Sequence, residues 1–98
     1  MTTNRLTVVG PVGNLKQFNR KAEWRAESEV RYLELPEHSS DRHAWQFETD
    51  EAPLKFLKSL SSRWRFLTFL LDYDCEDGRI KGLAKAKAGR LRNYSVIY

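Results

Sequence analysis

The sequence predicts a single α+β domain in which two helices cover one face of an antiparallel sheet. Several short segments alternate apolar with polar residues, which is the pattern of strands with one buried side. Two longer segments repeat apolar residues at helical spacing. Gly, Pro and acidic residues separate these segments at positions that suit turns. Together the three observations indicate a mixed fold rather than an all-helical or all-strand one.

Length and composition are those of one folded domain. The chain has 98 residues, of which 41% are hydrophobic and 31% charged, so we expect one domain over residues 1–98. No apolar run reaches the roughly 18 residues of a membrane-spanning helix, and the first residues lack the apolar segment of a secretory signal. Cys75 is the only cysteine, which excludes an internal disulfide. We therefore expect no membrane partner and a cytoplasmic location.

The first two predicted elements are a strand and a short helix. Residues 5–9 are rich in β-branched and apolar side chains, and Gly10 and Pro11 end this strand. Asn14 suits the N-cap of the helix that follows, because its side-chain oxygen can accept a hydrogen bond from the first turn. The helix places three apolar residues on one face: Leu15, Phe18 and Ala22.

Two more strands are predicted in the acidic middle of the chain, where nine of the 13 acids lie between residues 23 and 51. Residues 30–35 are strand-like and stop at Pro36, which cannot donate to a ladder. Residues 44–49 alternate, with Trp45 and Phe47 on one side. We expect these two aromatic side chains to lie in the core.

A second helix is predicted to begin after Thr49 or Asp50, either of which is a suitable N-cap, and to reach Trp64. Pro53 is tolerated in the first turn, where its missing N–H has no helical partner to lose. The basic residues of this segment fall on the outer side. The inner stripe consists of Leu54, Leu57, Leu60, Ser61 and Trp64.

The last third of the chain predicts a hairpin. Residues 66–73 are apolar on both sides, as in a central strand, and the Glu-Asp-Gly step at 76–78 suits a turn. In residues 79–88 the Ala and Lys content favours a helix, whereas the period of two and Gly82 favour a strand. We predict a strand there. Residues 93–98 are either a last edge strand or an ordered tail.

In chain order the predicted elements read β-α-β-β-α-β-β. This is the ferredoxin-like β-α-β-β-α-β order with an extra C-terminal hairpin strand. In that arrangement the two helices pack on one face of the antiparallel sheet.

Motifs along most of the chain resemble those of the YubB ferredoxin-like domain family. Residues 69–78, followed by Ile80, Gly82 and Ala84, resemble the C-terminal half of that family. The Glu-Ala-Pro step at residues 51–53 also has a counterpart there. The resemblance implies a ferredoxin-like fold and an origin in a bacterial mobile element such as a plasmid or phage. It implies no catalytic residue.

The clearest functional signal is a row of six basic residues in a segment, residues 79–98, that contains no acid. If the segment is a strand, four of them project to one face. Such a stripe suits a phosphate backbone, and it equally suits an edge strand whose lysines prevent unwanted pairing. The six residues are Arg79, Lys81, Lys85, Lys87, Arg90 and Arg92.

Three further residues are candidates on composition alone. Trp24 lies in a polar segment, where it is either an exposed partner contact or a core residue. His38 and His43 flank a Ser-containing loop, but their spacing is not one that ligates a metal, and no nucleophile motif accompanies them. We therefore expect no catalytic residue, no metal and no cofactor, and we predict that the chain is not an enzyme.

One acidic row lies next to the basic one. Three carboxylates alternate at residues 72, 74 and 76, so they would share one face of a strand. They would then pair with basic residues of the following strand or hold a hard cation through oxygen ligands. The row consists of Asp72, Asp74 and Glu76.

The charged faces and the absence of a catalytic motif favour a non-enzymatic protein-binding module that docks onto a protein complex. The resemblance implies that this complex belongs to a bacterial mobile element or its host. One concrete form is an inhibitor of a host defence complex, such as an anti-CRISPR. The alternative is a nucleic-acid-binding domain that uses the basic strand at residues 79–92. An exposed edge strand would allow either a monomer or an edge-strand homodimer.

Overall fold

The computed structural model describes residues 2–21, 33–34 and 42–98. The helices in this part of the chain have ten residues each, and none is long and apolar enough to cross a membrane. The helices are α1 (Val12–Lys21) and α2 (Leu54–Arg63). The strands are β1 (Thr2–Val9), β2 (Leu33–Glu34), β3 (Arg42–Thr49), β4 (Thr68–Cys75), β5 (Ile80–Lys87) and β6 (Arg90–Ile97).

The described strands form one sheet in the order β2-β3-β1-β4-β5-β6, and each neighbouring pair is antiparallel. β1 lies inside the sheet between β3 and β4, while β5 and β6 extend it as consecutive hairpins. The predicted α+β class, with an antiparallel sheet and two helices, is confirmed.

The two faces of the sheet differ because side chains alternate along each strand. In β1, residues 2, 4, 6 and 8 are buried, and the intervening ones are partly or fully exposed. Both helices pack on the buried face, to which they contribute Leu15, Phe18, Leu57 and Leu60. The apolar sheet residues of that face are Leu6, Val8, Trp45, Phe47, Phe69, Leu71, Tyr73, Ala84 and Ala86.

Phe18 of α1 is the centre of an aromatic cluster in this core. Its ring centroid lies 5.9 Å from that of Trp45, 5.3 Å from that of Trp64 and 5.5 Å from that of Phe69. All three contacts are edge-to-face, the arrangement that aromatic quadrupoles favour. Phe18 therefore joins α1, the end of α2 and two strands at one point.

β4, β5 and β6 are held together by a tyrosine that lies across a glycine. The Tyr73 ring covers Gly82, its cross-strand partner, so closely that a Cβ at Gly82 would lie 2.0 Å from Tyr73 Cζ. The Tyr73 hydroxyl then donates a hydrogen bond of 2.7 Å to Asn93 Oδ1 on β6. Glycine is required here because the ring occupies the space of a side chain.

The strand prediction for residues 79–88 is confirmed, since β5 spans Ile80–Lys87. Its alanines have a packing role: Ala84 and Ala86 are fully buried on the helical face. Small side chains there let α2 approach the sheet closely, which explains a helix-like composition in a strand. The open alternative for residues 93–98 is resolved as an edge strand, because β6 spans Arg90–Ile97.

The predicted helix starts differ from those of the structure. α1 begins at Val12, before Asn14, and the Leu15 amide donates to the Pro11 carbonyl. α2 begins at Leu54 with Pro53 as N-cap, so Thr49 and Asp50 do not cap it. The Thr49 hydroxyl instead donates to the Glu51 carbonyl and thereby stabilises the turn that precedes the helix.

Candidate functional site

The four basic residues nearest the β5–β6 turn share the face of the sheet that is opposite the two helices. We call this side the open face. Lys85 pairs with Arg92 and Lys87 with Arg90 across the hairpin, and all four are exposed. They point away from the core because they alternate with the buried Ala84 and Ala86. The sequence analysis treated residues 79–92 as one strand, whereas the structure divides them between β5 and β6. Lys81, Lys85 and Lys87 alternate along β5 as predicted, and Arg90 and Arg92 join them on the same face from β6.

These four residues and Arg65 surround an open concavity of about 360 Å³. We call the five side chains the basic cluster. Arg65 lies in the turn between α2 and β4, and Ala88 supplies the remaining wall. Among the described residues, no carboxylate lines this concavity. Five cations so close together repel one another, and a bound anion would relieve that repulsion.

The backbone of the turn between β5 and β6 determines the position of the basic cluster. Ala88 and Gly89 both have positive φ, 52° and 81°, as in the two-residue turns that match the twist of a hairpin. The Gly89 amide donates a 3.0 Å hydrogen bond to the Ser61 hydroxyl, which is fully buried on α2. Ser61 in turn donates to the Lys58 carbonyl at 2.8 Å. The hairpin tip is thus attached to α2.

Replacing Ser61 with alanine should lower the free energy of unfolding by about 1–3 kcal/mol, because the Gly89 N–H would lose its partner in a partly buried place. Chemical denaturation followed by circular dichroism measures this. Ser62→Ala is the matched control: its hydroxyl is exposed and donates to the Lys58 carbonyl, so we expect the free energy of unfolding to change by no more than about 0.5 kcal/mol. Equal effects of the two substitutions would contradict the role given to Ser61.

The other two residues of the predicted basic row lie at the far end of the hairpin. Lys81 is opposite Asp74, with Nζ 4.0 Å from Oδ2, and Arg79 lies in the β4–β5 turn with φ of 52°. Both cations are near the Tyr98 ring, at 5.1 Å for Lys81 Nζ and 5.8 Å for Arg79 Cζ. The structure therefore separates Arg79 and Lys81 from the basic cluster.

Tyr98 closes this far end of the hairpin. Its hydroxyl donates a 2.7 Å hydrogen bond to Asp74 Oδ1, and its amide donates to the Arg79 carbonyl at 2.8 Å. The Asp74 carboxylate, which accepts the first bond, raises the pKa of Tyr98 above its usual value. The protonated Tyr98 hydroxyl therefore acts as the hydrogen-bond donor to Asp74.

A short apolar row lies on the open face between the two charged ends. Leu83 pairs with Tyr94 across the hairpin, and Val96 follows two residues later on β6. Their exposed fractions are 48%, 69% and 64%. Sequence analysis identified neither this row nor Arg65, because both depend on which strands and turns are neighbours in space.

The acidic row is shorter than predicted. Asp72 and Asp74 share the open face, but β4 ends at Cys75 and Glu76 lies in the following turn. Within the described ranges, no three His, Cys, Asp or Glu side chains converge as metal ligands would. His43 is on β3 with its ring centroid 5.8 Å from that of Trp45. Trp24 and His38 lie outside the described residues.

No family model matches the chain, and no curated protein or solved structure is similar to it at a significant level. The basis for inferring its function is therefore its own chemistry: a basic cluster and an apolar row side by side on the open face.

Proposed function

We propose that this domain is a non-enzymatic binding module that holds single-stranded nucleic acid against the open face of its sheet. The observation that carries the proposal is the basic cluster, in which five cations surround one concavity without a lining carboxylate in the described part of the chain. A chain of phosphates is the ligand whose repeated negative charge suits such a cluster.

The cluster predicts a strong dependence of binding on salt. Each phosphate that a cation neutralises releases condensed counterions, so log K falls by about 0.7 for each tenfold rise in salt with single strands. If all five cations of the cluster contact phosphates, the slope is about −3.5. The four hairpin cations stand on rigid paired strands, so little backbone ordering opposes their contacts with a ligand.

The apolar row favours an unpaired strand over a duplex. Tyr94 is 69% exposed and lies two residues from Arg92 on the same face, which separates them by about 6.8 Å along β6. A base stacked on the Tyr94 ring would therefore place its phosphate within reach of Arg92. Such stacking contributes about 1–3 kcal/mol per base and is not possible for bases that are paired inside a duplex.

Fluorescence anisotropy with labelled single- and double-stranded oligonucleotides at low and high salt tests the proposal. We expect tighter binding of the single strand. The triple substitution Lys85→Ala, Lys87→Ala and Arg92→Ala should weaken it by about 10²–10³-fold, roughly tenfold for each lost charged contact. The control removes the same charge from exposed positions on the helices, through Lys16→Ala, Lys55→Ala and Lys58→Ala.

The control triple substitution should leave the affinity within about threefold, because its lysines belong to the helices and not to the open face. Absence of binding at low salt would overturn the proposal. Equal losses with the two triple substitutions would also overturn it, since the attraction would then follow net charge and not the basic cluster.

A second candidate function is docking of the open face onto an acidic protein of a host or mobile-element complex. An inhibitor of a bacterial defence complex, such as an anti-CRISPR, is one form of it. The exposed apolar row favours this candidate, because apolar side chains beside charges are typical of protein interfaces. The resemblance to the YubB family supports the mobile-element origin.

Affinity purification of the tagged chain from a nuclease-treated bacterial lysate separates the two candidates. A stoichiometric protein partner that is retained after nuclease treatment, and lost with Leu83→Ala and Val96→Ala, would favour protein docking. Recovery of no such partner would count against it. Binding of single strands by the purified chain would then remain the function to be assayed.

We also propose that the fold is a ferredoxin-like one with β5 and β6 as a C-terminal addition. The order β2-β3-β1-β4, with α1 between β1 and β2 and α2 between β3 and β4 along the chain, supports this. In that arrangement the helices cover one face only. The added strands widen the open face, and they carry four of the five residues of the basic cluster.

A further inference from the structure

Among the described strands, β6 is an edge strand, and its two charged residues, Arg90 and Arg92, lie toward the hairpin turn. Its eight residues are in register with β5 without a bulge, and its sequence contains no proline. All but Leu91 are exposed, including Ile97 at 83%. A long, regular and partly apolar edge of this kind is a template for another strand.

The hairpin turn determines which backbone groups of β6 face outward. In a two-residue turn the closing residues, Lys87 and Arg90, exchange hydrogen bonds, so the even-numbered residues of β6 direct their N–H groups toward β5. The Tyr98 amide, which donates to the Arg79 carbonyl, agrees with this. The outward donors are those of Leu91, Asn93, Ser95 and Ile97.

We propose that β6 pairs antiparallel with β6 of a second copy of this chain, about a two-fold axis at Tyr94. This register brings the two Tyr94 rings together and sets Arg92 opposite Val96 of the second copy. On the helical face it sets the exposed Ile97 opposite Leu91 of the second copy. The outward N–H and C=O groups of both strands are then paired, which removes the free edge from each.

Charge does not oppose a second copy in this register. Arg90 and Arg92 face an aromatic and an apolar residue, Tyr98 and Val96, so no like charges are opposed. Parallel pairing in register would instead place each arginine beside its counterpart. The nearest arginine copies are the two Arg92 residues, four residues apart along the strands, about 14 Å, which exceeds a Debye length of about 8 Å at physiological salt.

In the dimer, the open faces of the two copies would lie on the same side and form one continuous surface. A two-fold axis normal to the sheet leaves the same side of each copy exposed, so both basic clusters lie on the same side of a continuous sheet. If the cluster binds nucleic acid, as proposed above, one strand can contact both copies, and the affinity rises with its length. The dimer itself does not depend on that function.

Sedimentation velocity of the full chain over a wide micromolar range tests the pairing. We expect the wild-type mass to rise to that of two chains with concentration. Ser95→Pro removes one outward donor and leaves the bonds to β5, so it should stay monomeric throughout. Ser95→Ala, the control, should dimerise as the wild type does, and circular dichroism verifies that each variant is folded.

A pair of charge variants at one exposed position tests the register. Val96→Arg would oppose Arg92 of the second copy twice per dimer and should weaken the association at least tenfold, whereas Val96→Glu should strengthen it. A wild-type chain that stays monomeric at every concentration would overturn the proposal. So would equal dimerisation of Ser95→Pro, or equal effects of the two Val96 substitutions.

Discussion

Replacing Phe18 with alanine should lower the free energy of unfolding by about 3–5 kcal/mol, as for other buried Phe residues. Its side chain is fully buried and makes edge-to-face contacts with Trp45, Trp64 and Phe69. Its removal would therefore leave a cavity lined by three large rings, which cannot collapse without moving two strands and the end of α2. The total free energy of unfolding of a small domain is only about 5–15 kcal/mol, so this variant would be close to unfolding.

Urea denaturation of the Phe18 variant measures this effect directly. Gln17→Ala is the control, because Gln17 is the exposed neighbour on the same helix and alanine is a better helix former. We expect a change within about 0.5 kcal/mol for Gln17. A loss below about 1 kcal/mol for Phe18 would mean that α1 is not packed on the sheet as described.

Gly82→Ala should lower the free energy of unfolding by about 1–3 kcal/mol, which is a large effect for the addition of one methyl group. The new Cβ would lie 2.0 Å from Tyr73 Cζ, and Tyr73 is only 6% exposed, so its ring has no free path to move away. Displacing the ring would also break the Tyr73–Asn93 hydrogen bond that links β4 to β6. The expected loss therefore comes from overpacking and from the broken link.

The matched control for Gly82 is another glycine-to-alanine change in the same chain. A methyl group added at Gly13 in α1 would meet no atom within 4 Å, so Gly13→Ala should stabilise the domain by about 0.4–1 kcal/mol. In a Tyr73→Ala background the penalty for Gly82→Ala should disappear, because the colliding ring is gone. An unchanged penalty in that background would refute the explanation.

The periodic parts of this fold were predictable from the sequence, because the alternation of buried and exposed residues is visible within each segment by itself. Alternation, together with Gly82 and the preceding acidic turn, identified β5 although its Ala and Lys content suits a helix. The alternation arises because Ala84 and Ala86 face α2 while Lys85 and Lys87 face outward. The same alternation places the lysines of the basic cluster on one face. Trp45 was correctly predicted in the core by the period-two pattern of its strand.

Features that depend on which elements are neighbours in space could not be predicted from the sequence. Arg65 joins the basic cluster only because the α2–β4 turn lies beside the β5–β6 turn, 20 or more residues later in the chain. Arg79 leaves the row because β5 begins at Ile80, which puts Arg79 in a turn. The start of α2 was misplaced since Thr49 bonds the turn before the helix, a competition that side-chain composition does not reveal.

The position of β1 has a consequence for how the chain reaches this arrangement. β1 pairs with β3 and β4, whose residues follow at positions 42–49 and 68–75. As the ribosome releases the nascent chain, β1 has neither neighbouring strand until those residues have emerged. Leu6 and Val8, which are buried in the folded domain, remain exposed to solvent until then. The β5–β6 hairpin is joined by two residues, so its strands can pair without such a delay. The middle of the sheet, in contrast, depends on pairing between strands that are far apart in the sequence.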